Sequence, residues 1–480
     1  MSQTATGIRD KLLLETSKSW IITQNHSGTV ILNILQRIRL SIFPDKPETN
    51  HHKHGRGKNF RSFLLHFRPR SVPERTLKLS LTWGLGGMAV VLVFLLFGSG
   101  LMLKFAYEPT PGKAYESIVY LNNQVPFGRL LRNIHRWSAN GLLFVVFLHL
   151  SRVFYTSAFT APRQFNWIIG LTLFSAVVLS NFTGYLLPWD QLAYWAITIS
   201  TSMLDYIPGV GTGLKEWILG GPEPGPQTLI NFYAIHTAAL PLLLLFFMPF
   251  HFWRIRKAKG LIIPRSPDED PSVKGDMVDT MPHLIMREVT LAVLVLAVIL
   301  LTAMFFNAPL ADVANPGLSP NPTKAPWYFM GIQEMLMHFH PVFALLVIPG
   351  LLLLGLLSIP YINYETNTTG VWFCSIKGRK MAVIAVIFAT LATVAAVLFD
   401  EFVVIANQTG PANMISNGLL PFSVVLVMCI GFYMLIKKAF SATNNEAVQA
   451  LFTLLITAFV VLTIIGVWFR GTGMQLVWGA

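Results

Sequence analysis

Cysteine is almost missing from this chain, occurring only at Cys374 and Cys429. Two isolated thiols leave no CxxCH run for covalent haem attachment and no four-cysteine set for an iron–sulfur cluster, so any further redox centre has to sit on a partner subunit. Charge is scarce too. Asp, Glu, Lys and Arg make up 12% of the 480 residues while 53% are hydrophobic, a balance too apolar for a soluble domain. No short basic-then-apolar stretch with a cleavage site opens the sequence, so the first long apolar run, near residue 83, is expected to direct membrane insertion.

Long apolar runs are what the chain has in abundance. Segments able to span a hydrocarbon core lie near 83–106, 135–156, 167–187, 231–253, 284–306, 341–360, 381–400, 420–437 and 448–469. The expected fold class is an all-α membrane protein with about nine transmembrane helices and its termini on opposite sides. A formal net charge of +13 would suit nucleic acid, but the distribution argues against that partner. With the N-terminus in the cytoplasm, 28 of the 36 Lys and Arg fall on the cytoplasmic side, the bias expected of a multi-pass protein in a bacterial cytoplasmic membrane.

The composition divides the chain into five parts. Residues 1–80 form a basic cytoplasmic extension, in which the apolar stretch 30–43, interrupted by Arg37 and Arg39, reads as an amphipathic helix on the membrane surface or against a partner. His51, His52 and His54 lack a nearby fourth ligand and read as linker. Residues 81–257 form a four-helix block, the Pro- and charge-rich stretch 258–283 a linker, 284–400 a three-helix block and 401–480 two additional helices. Between the third and fourth spans, residues 196–218 are semi-polar and Gly-rich, and are expected to lie on the outer surface near a substrate pocket.

Four histidines carry the chemistry. His135 and His149 lie 14 residues apart on one apolar segment, and His236 and His251 lie 15 apart on another. A helix advances ~1.5 Å and ~100° per residue, so each pair returns to nearly one face, ~21 Å apart along the axis. Two such helices facing each other can clamp two stacked haems through neutral imidazoles, building the site inside a bundle. Separate burial of four polar side chains is the plainer alternative, but ionisable residues within membrane spans are rare and usually functional. Gly86 and Gly100, and again Gly170 and Gly184, repeat the 14-residue spacing on the first and third spans, marking levels where a porphyrin edge can approach a backbone lacking Cβ. Arg132 and Arg152 sit three residues outside His135 and His149, placed to pair with haem propionates or to snorkel to the interface.

The run from Val125 through His135-Arg-Trp-Ser-Ala-Asn140, then Gly184-Tyr-Leu-Leu-Pro-Trp-Asp-Gln191, then Asn231-Phe-Tyr-Ala-Ile-His236, closely resembles cytochrome b of quinol-oxidising bc and b6f complexes, the b6 form in particular. The resemblance covers about residues 70–360. It implies a b6-like four-helix block fused to a subunit-IV-like block. It assigns His135 and His236 to a haem b near the outer surface, and His149 and His251 to a haem b near the cytoplasm, in agreement with the charge-derived topology.

Two departures stand out. Where the family has a Pro-Glu-Trp-Tyr motif whose Glu accepts a proton from quinol, this chain reads Ala325-Pro326-Trp327-Tyr328. Glu334, about two helical turns on, is the candidate replacement, with Asp190 and Asp205 as fallbacks. Where b6 chains carrying an extra covalent haem have Cys, this chain has Gly84, so no covalent haem c is expected. On the cytoplasmic side Arg256 and Lys257, with His66, are candidates to stabilise a quinone anion.

The resemblance implies a quinol:cytochrome c-type oxidoreductase subunit, with quinol docking between the third span, residues 196–218 and Trp327-Tyr328. Menaquinone is one candidate quinone. The expected partners are a Rieske protein, c-type multihaem cytochromes, or both, within a homodimer. Two alternatives stand beside this: a haem b conduit without bifurcation, and a nine-helix secondary transporter, which should show broken midplane helices and an internal repeat.

Overall fold

The structure is a computed structural model that describes residues 34–43, 70–270, 275–403 and 411–477. Among the described residues nine helices are long and apolar enough to cross a membrane. In chain order, with one short helix of the far surface included, they are α1 (Leu85–Leu103), α2 (Gly128–Tyr155), α3 (Gln164–Leu186), α4 (Pro226–Lys257), α5 (Thr280–Phe305), the short α6 (Met330–His338), α7 (Phe343–Tyr361), α8 (Ile376–Val403), α9 (Ile415–Ala439) and α10 (Asn444–Trp468). The molecule is an all-α, multi-pass membrane protein. The spans of the sequence reading are all present, with shifted ends. α2 begins at Gly128, ahead of the apolar run, because its polar first turns are satisfied by contacts to the chain after α5 rather than by hydrocarbon.

Lipid is as apolar as leucine, so burial alone does not drive these helices together; close packing and polar contacts do. Helices α1 to α4 share a core built on Leu92, Leu142, Val177 and Leu244, and Ile299 of α5 completes it. A second core joins α8, α9 and α10 through Met381, Ala385, Phe432, Ile436 and Leu454. A third, around Phe154, Trp167 and Ile359, lies where α2, α3 and α7 meet, with Phe452 of α10 packed against it. Directional bonds fix the register between the blocks. Trp137 Nε1 donates to the Phe306 carbonyl at 2.7 Å, Trp167 Nε1 to Leu356 at 2.8 Å, and Gln449 Nε2 to Phe154 at 3.1 Å.

The two ends of the bundle are called here the near face, which carries residues 70–84, and the far face opposite. At the near face Ser71–Pro73 pairs antiparallel with Met277–Asp279, tying the segment before α1 to the one before α5. Residues 34–42 are helical and expose Leu35 while burying Ser41, whose carbonyl accepts from Arg254 at the end of α4, and Phe43 just beyond them is exposed. His51, His52, His54 and His66 lie outside the described residues. At the far face the semi-polar 196–218 stretch is largely helical, falling within Gln191–Ser202 and Gly211–Leu219. Asp190 caps the first of these by accepting from Ala193 N at 2.9 Å.

Candidate functional site

The four histidines are brought together in two levels. His135 and His236 share the far-face level, their ring centroids 6.3 Å apart. A metal–imidazole bond is about 2 Å and the ring centre lies roughly 1 Å behind the nitrogen, so two imidazoles that held one ion between them would have centroids about 6 Å apart. His149 and His251 occupy the near-face level. All four rings are only half-buried by protein.

The unequal spacings, 14 and 15, have a local cause. Residues Ile235–Ala239 of α4, which include His236, form a π-helical turn. Such a turn inserts one residue into an α-helix. It thereby brings His251 back into line with His149 despite the longer count. The sequence supplied the extra residue; only the backbone shows where it is absorbed.

Each of the four glycines faces one of these rings. A Cβ built on Gly184 would lie 2.6 Å from His236 Cε1, and one on Gly100 3.1 Å from His135 Cε1. At the near face the distances are 3.6 Å from Gly86 to His149 and 3.7 Å from Gly170 to His251. Gly100 and Gly184 thus sit at the far-face level and Gly86 and Gly170 at the near-face level. The nearest atoms belong to imidazoles, so the missing Cβ makes room for the ring itself.

Hydroxyls orient the far-face rings, a feature not read from the sequence. Ser99 Oγ donates to the Leu95 carbonyl at 2.6 Å and therefore accepts at 2.9 Å from His135 Nδ1–H. Thr183 Oγ1 does the same between the Leu179 carbonyl, at 2.8 Å, and His236 Nδ1–H, at 3.2 Å. Each bond leaves Nε2 with its lone pair free, the tautomer a metal ligand needs.

The two arginines behave differently. Arg152 is buried, donates through Nε to the Leu81 carbonyl at 2.7 Å, and keeps Nη2 buried with no hydrogen-bond partner among the described residues, a donor suited to an anionic group. Arg132 donates to the carbonyls of Ala308 at 2.9 Å and Pro309 at 2.5 Å, latching the exit of α5 onto α2. Arg256 and Lys257 lie on the last turn of α4, with Lys257 over the Trp253 ring. Arg254, passed over in the sequence, holds the 34–42 helix instead. At Gly84 a built Cβ would meet Leu291 Cδ2 at 2.2 Å, so α5 fills the space a side chain there would need.

The far face also gathers the candidate quinol residues. Trp327 Nε1 donates to Asn140 Oδ1 at 3.1 Å, joining this segment to α2, and the Tyr328 hydroxyl is buried without a hydrogen-bond partner among the described residues. A cavity of about 200 Å³ lies between Met203, Leu204 and Ile207 on one side and Val342, Leu345 and Leu346 on the other. The 196–218 segment bounds it, whereas Trp327 and Tyr328 do not line it. Glu334 is not an open carboxylate. It is fully buried, with Arg470 Nη2 at 2.6 Å and His338 Nε2 at 3.2 Å from Oε1. Asp190 is committed to capping, and Asp205 pairs with Lys215 at 2.7 Å.

Burial alone would raise the Glu334 carboxyl, but the hydrogen bonds from His338 and Arg470 outweigh it and hold it below the ordinary 4.5. Burial would lower His338, and the carboxylates of Glu334 and Asp400 lift it above 6.5. Glu334 therefore contributes stability above 4.5 that is lost as pH falls through its depressed folded value. His338 contributes fully below 6.5 and loses this as pH rises through its raised value. Thermal unfolding in detergent should show the cluster's contribution at its greatest between these limits. Arg470→Met should cost about 3–5 kcal/mol there by stranding buried Glu334. An unchanged melting temperature in that variant would deny the cluster its stabilising role.

A family model described as cytochrome b/b6/petB matches residues 72–259. Cytochrome b6 of Synechococcus elongatus is 42% identical over 173 residues, spanning 36% of this chain and 80% of the relative. Cytochrome b6 of Acaryochloris marina is 43% identical over 173 residues, with the same coverage. The chain belongs to the cytochrome b/b6 family. It is a cytochrome b of a bc/b6f-type electron-transfer complex, and haem b is the cofactor the family implies. A chain of a solved structure titled "Hyperthermophilic respiratory Complex III" superposes with a TM-score of 0.61 at 22% identity, covering 85% of this chain and 96% of that one, a likeness of fold. The family assignment sets aside the secondary transporter.

Proposed function

We propose that this cytochrome b is the dihaem, quinol-oxidising subunit of a bc-type complex in a bacterial cytoplasmic membrane, with its near face and N-terminus in the cytoplasm. The reading rests above all on the four histidines, paired at two levels with a glycine opposite each ring. His135 and His236 hold one haem b, and His149 and His251 the other, with Arg152 toward a propionate of the near-face haem. Haems bound there would supply one-electron transfer between the two faces, and the second electron of each quinol would leave to a Rieske protein or c-type cytochrome. Residues 81–257 act as the haem block and 284–400 as the subunit-IV-like block.

Quinol docks at the far face beside the 196–218 segment and the start of α7, with Trp327 and Tyr328 closing the approach to α2. Glu334 takes over the proton-accepting role that Pro326 cannot fill. Arg256 and Lys257 serve a quinone at the near face, and the complex is a homodimer acting as a quinol:cytochrome c-type oxidoreductase. Pro326 also favours a second reading, a conduit without bifurcation that passes both electrons along the haems.

The test begins with a reduced-minus-oxidised spectrum and haem-to-protein ratio of the purified protein, which should give b-type bands and two haems. Glu334→Gln should then keep both haems but slow haem reduction by a short-chain quinol ~100–10,000-fold, the usual loss on removing a general base. A wild-type rate in that variant would leave Glu334 structural. Reduction of both haems by a single quinol without any external acceptor would favour the conduit.

A further inference from the structure

A proton accepted by Glu334 has no direct route to water, because the side chain has no exposed surface. A line of hydrogen bonds leads out. Glu334 Oε1 lies 3.2 Å from His338 Nε2, and His338 Nδ1 lies 2.6 Å from Asp400 Oδ2. Asp400 sits near the far-face end of α8 with its side chain 35% exposed. Both ring nitrogens face a carboxylate, so only the imidazolium, with two N–H donors, satisfies both.

Arg470, just beyond α10, fixes the geometry. Its Nε lies 3.0 and 3.1 Å from the two Glu334 oxygens, and its Nη1 reaches Glu401 at 2.8 Å and the Met474 carbonyl at 2.9 Å. A guanidinium does not give up its proton near neutrality, so Arg470 can anchor the line but not carry it. Oε2 receives only one of these contacts, which leaves it a lone pair for an incoming proton. The other charged or titratable groups at hand are Lys324, bonded to the Val467 carbonyl at 3.0 Å, and His340, whose ring packs on Tyr206 beside the cavity. The segment that follows α10 thus supplies the residue that holds Glu334 in place.

We propose that His338 and Asp400 form the proton exit of the far-face site, with Arg470 as a positioning residue; this rests on the reading that the chain oxidises quinol. The quinol O–H bond breaks and its proton goes to Glu334. The imidazolium passes its Nδ1 proton to Asp400, which releases it to water, leaving a neutral ring with its proton on Nε2; the ring then turns so that the bare Nδ1 meets protonated Glu334, takes that proton and turns back as the imidazolium. One proton crosses, and no electron moves along this line. The depressed Glu334 and raised His338 favour the resting state the cycle needs, a carboxylate beside an imidazolium.

The experiment uses the full-length haem-loaded protein and follows stopped-flow haem reduction by a short-chain quinol from about pH 5.5 to 9, with His338→Gln and Asp400→Asn. Both should keep two haems and unshifted haem potentials. His338→Gln should be ~10–100-fold slower with a flattened pH profile, and Asp400→Asn slower with recovery when small weak acids are added, the signature of a missing proton carrier. Wild-type rates and pH profile in both variants, or slowing of Asp400→Asn that no weak acid relieves, would overturn the relay. If His338→Gln does not fold, Asp400→Asn at the surface decides alone. A wild-type protein reduced by dithionite but never by quinol would instead overturn the quinol reading beneath it.

Discussion

Replacing His236 with Ala should leave a protein holding one haem instead of two, with the far-face redox wave gone from a potentiometric titration. The same loss is expected for His135→Ala, whereas His149→Ala and His251→Ala should remove the near-face wave. The effect is large because each level offers two facing imidazoles, and a ring lost from one helix leaves no second nitrogen at the same height. The far-face rings are already oriented by Ser99 and Thr183, so the cost of ordering them is met before a cofactor binds. Two full haems surviving in any of the four single variants would refute the assignment.

The glycines should grade rather than simply fail. A Cβ on Gly184 would stand 2.6 Å from His236 and one on Gly100 3.1 Å from His135, against 3.6 and 3.7 Å at Gly86 and Gly170. Alanine at Gly184 should therefore displace the His236 ring and shift the far-face haem, while alanine at Gly86 or Gly170 should be tolerated. Leucine at Gly184 should eject the haem, since overpacking costs ~1–3 kcal/mol even where a site can adapt. Haem occupancy and far-face potential read the series. Normal values in Gly184→Leu would mean that the ring contact is not what the glycine protects.

The proton chemistry depends on a different kind of order. Glu334, His338, Asp400 and Arg470 make a charged cluster at the ends of three helices, and the stability window between the ordinary values of Glu334 and His338 follows from their opposite shifts. A buried charged group is costly unless paired, so the cluster persists only because each member satisfies another.

Much of this protein is readable without coordinates. The spans follow from apolar run length, because a helix in hydrocarbon must satisfy its backbone within itself and needs about 20 residues to cross. The histidine and glycine spacings are also local, since a fixed rise and turn per residue converts sequence distance into height and face. The motif from His135 to Asn140 was legible as well. Its Asn140 turned out to anchor Trp327 across the two blocks.

What the sequence could not supply are the contacts between residues far apart along it. Arg470 and Glu334 are 136 positions apart, and Asp400 and His338 are 62 apart. Arg132 showed a spacing suited to a propionate, yet its guanidinium went to the carbonyls after α5. No periodicity encodes such pairings, because they are fixed by which helix ends the packing brings to one face. The sequence alone thus determined the number of spans, the levels of the histidines and the glycines that clear them. Only the tertiary structure decided where the extra residue of α4 is absorbed, which arginine keeps a free buried donor, and that the last helix seats its arginine on Glu334, because each of these depends on atoms that meet only when separate helices pack.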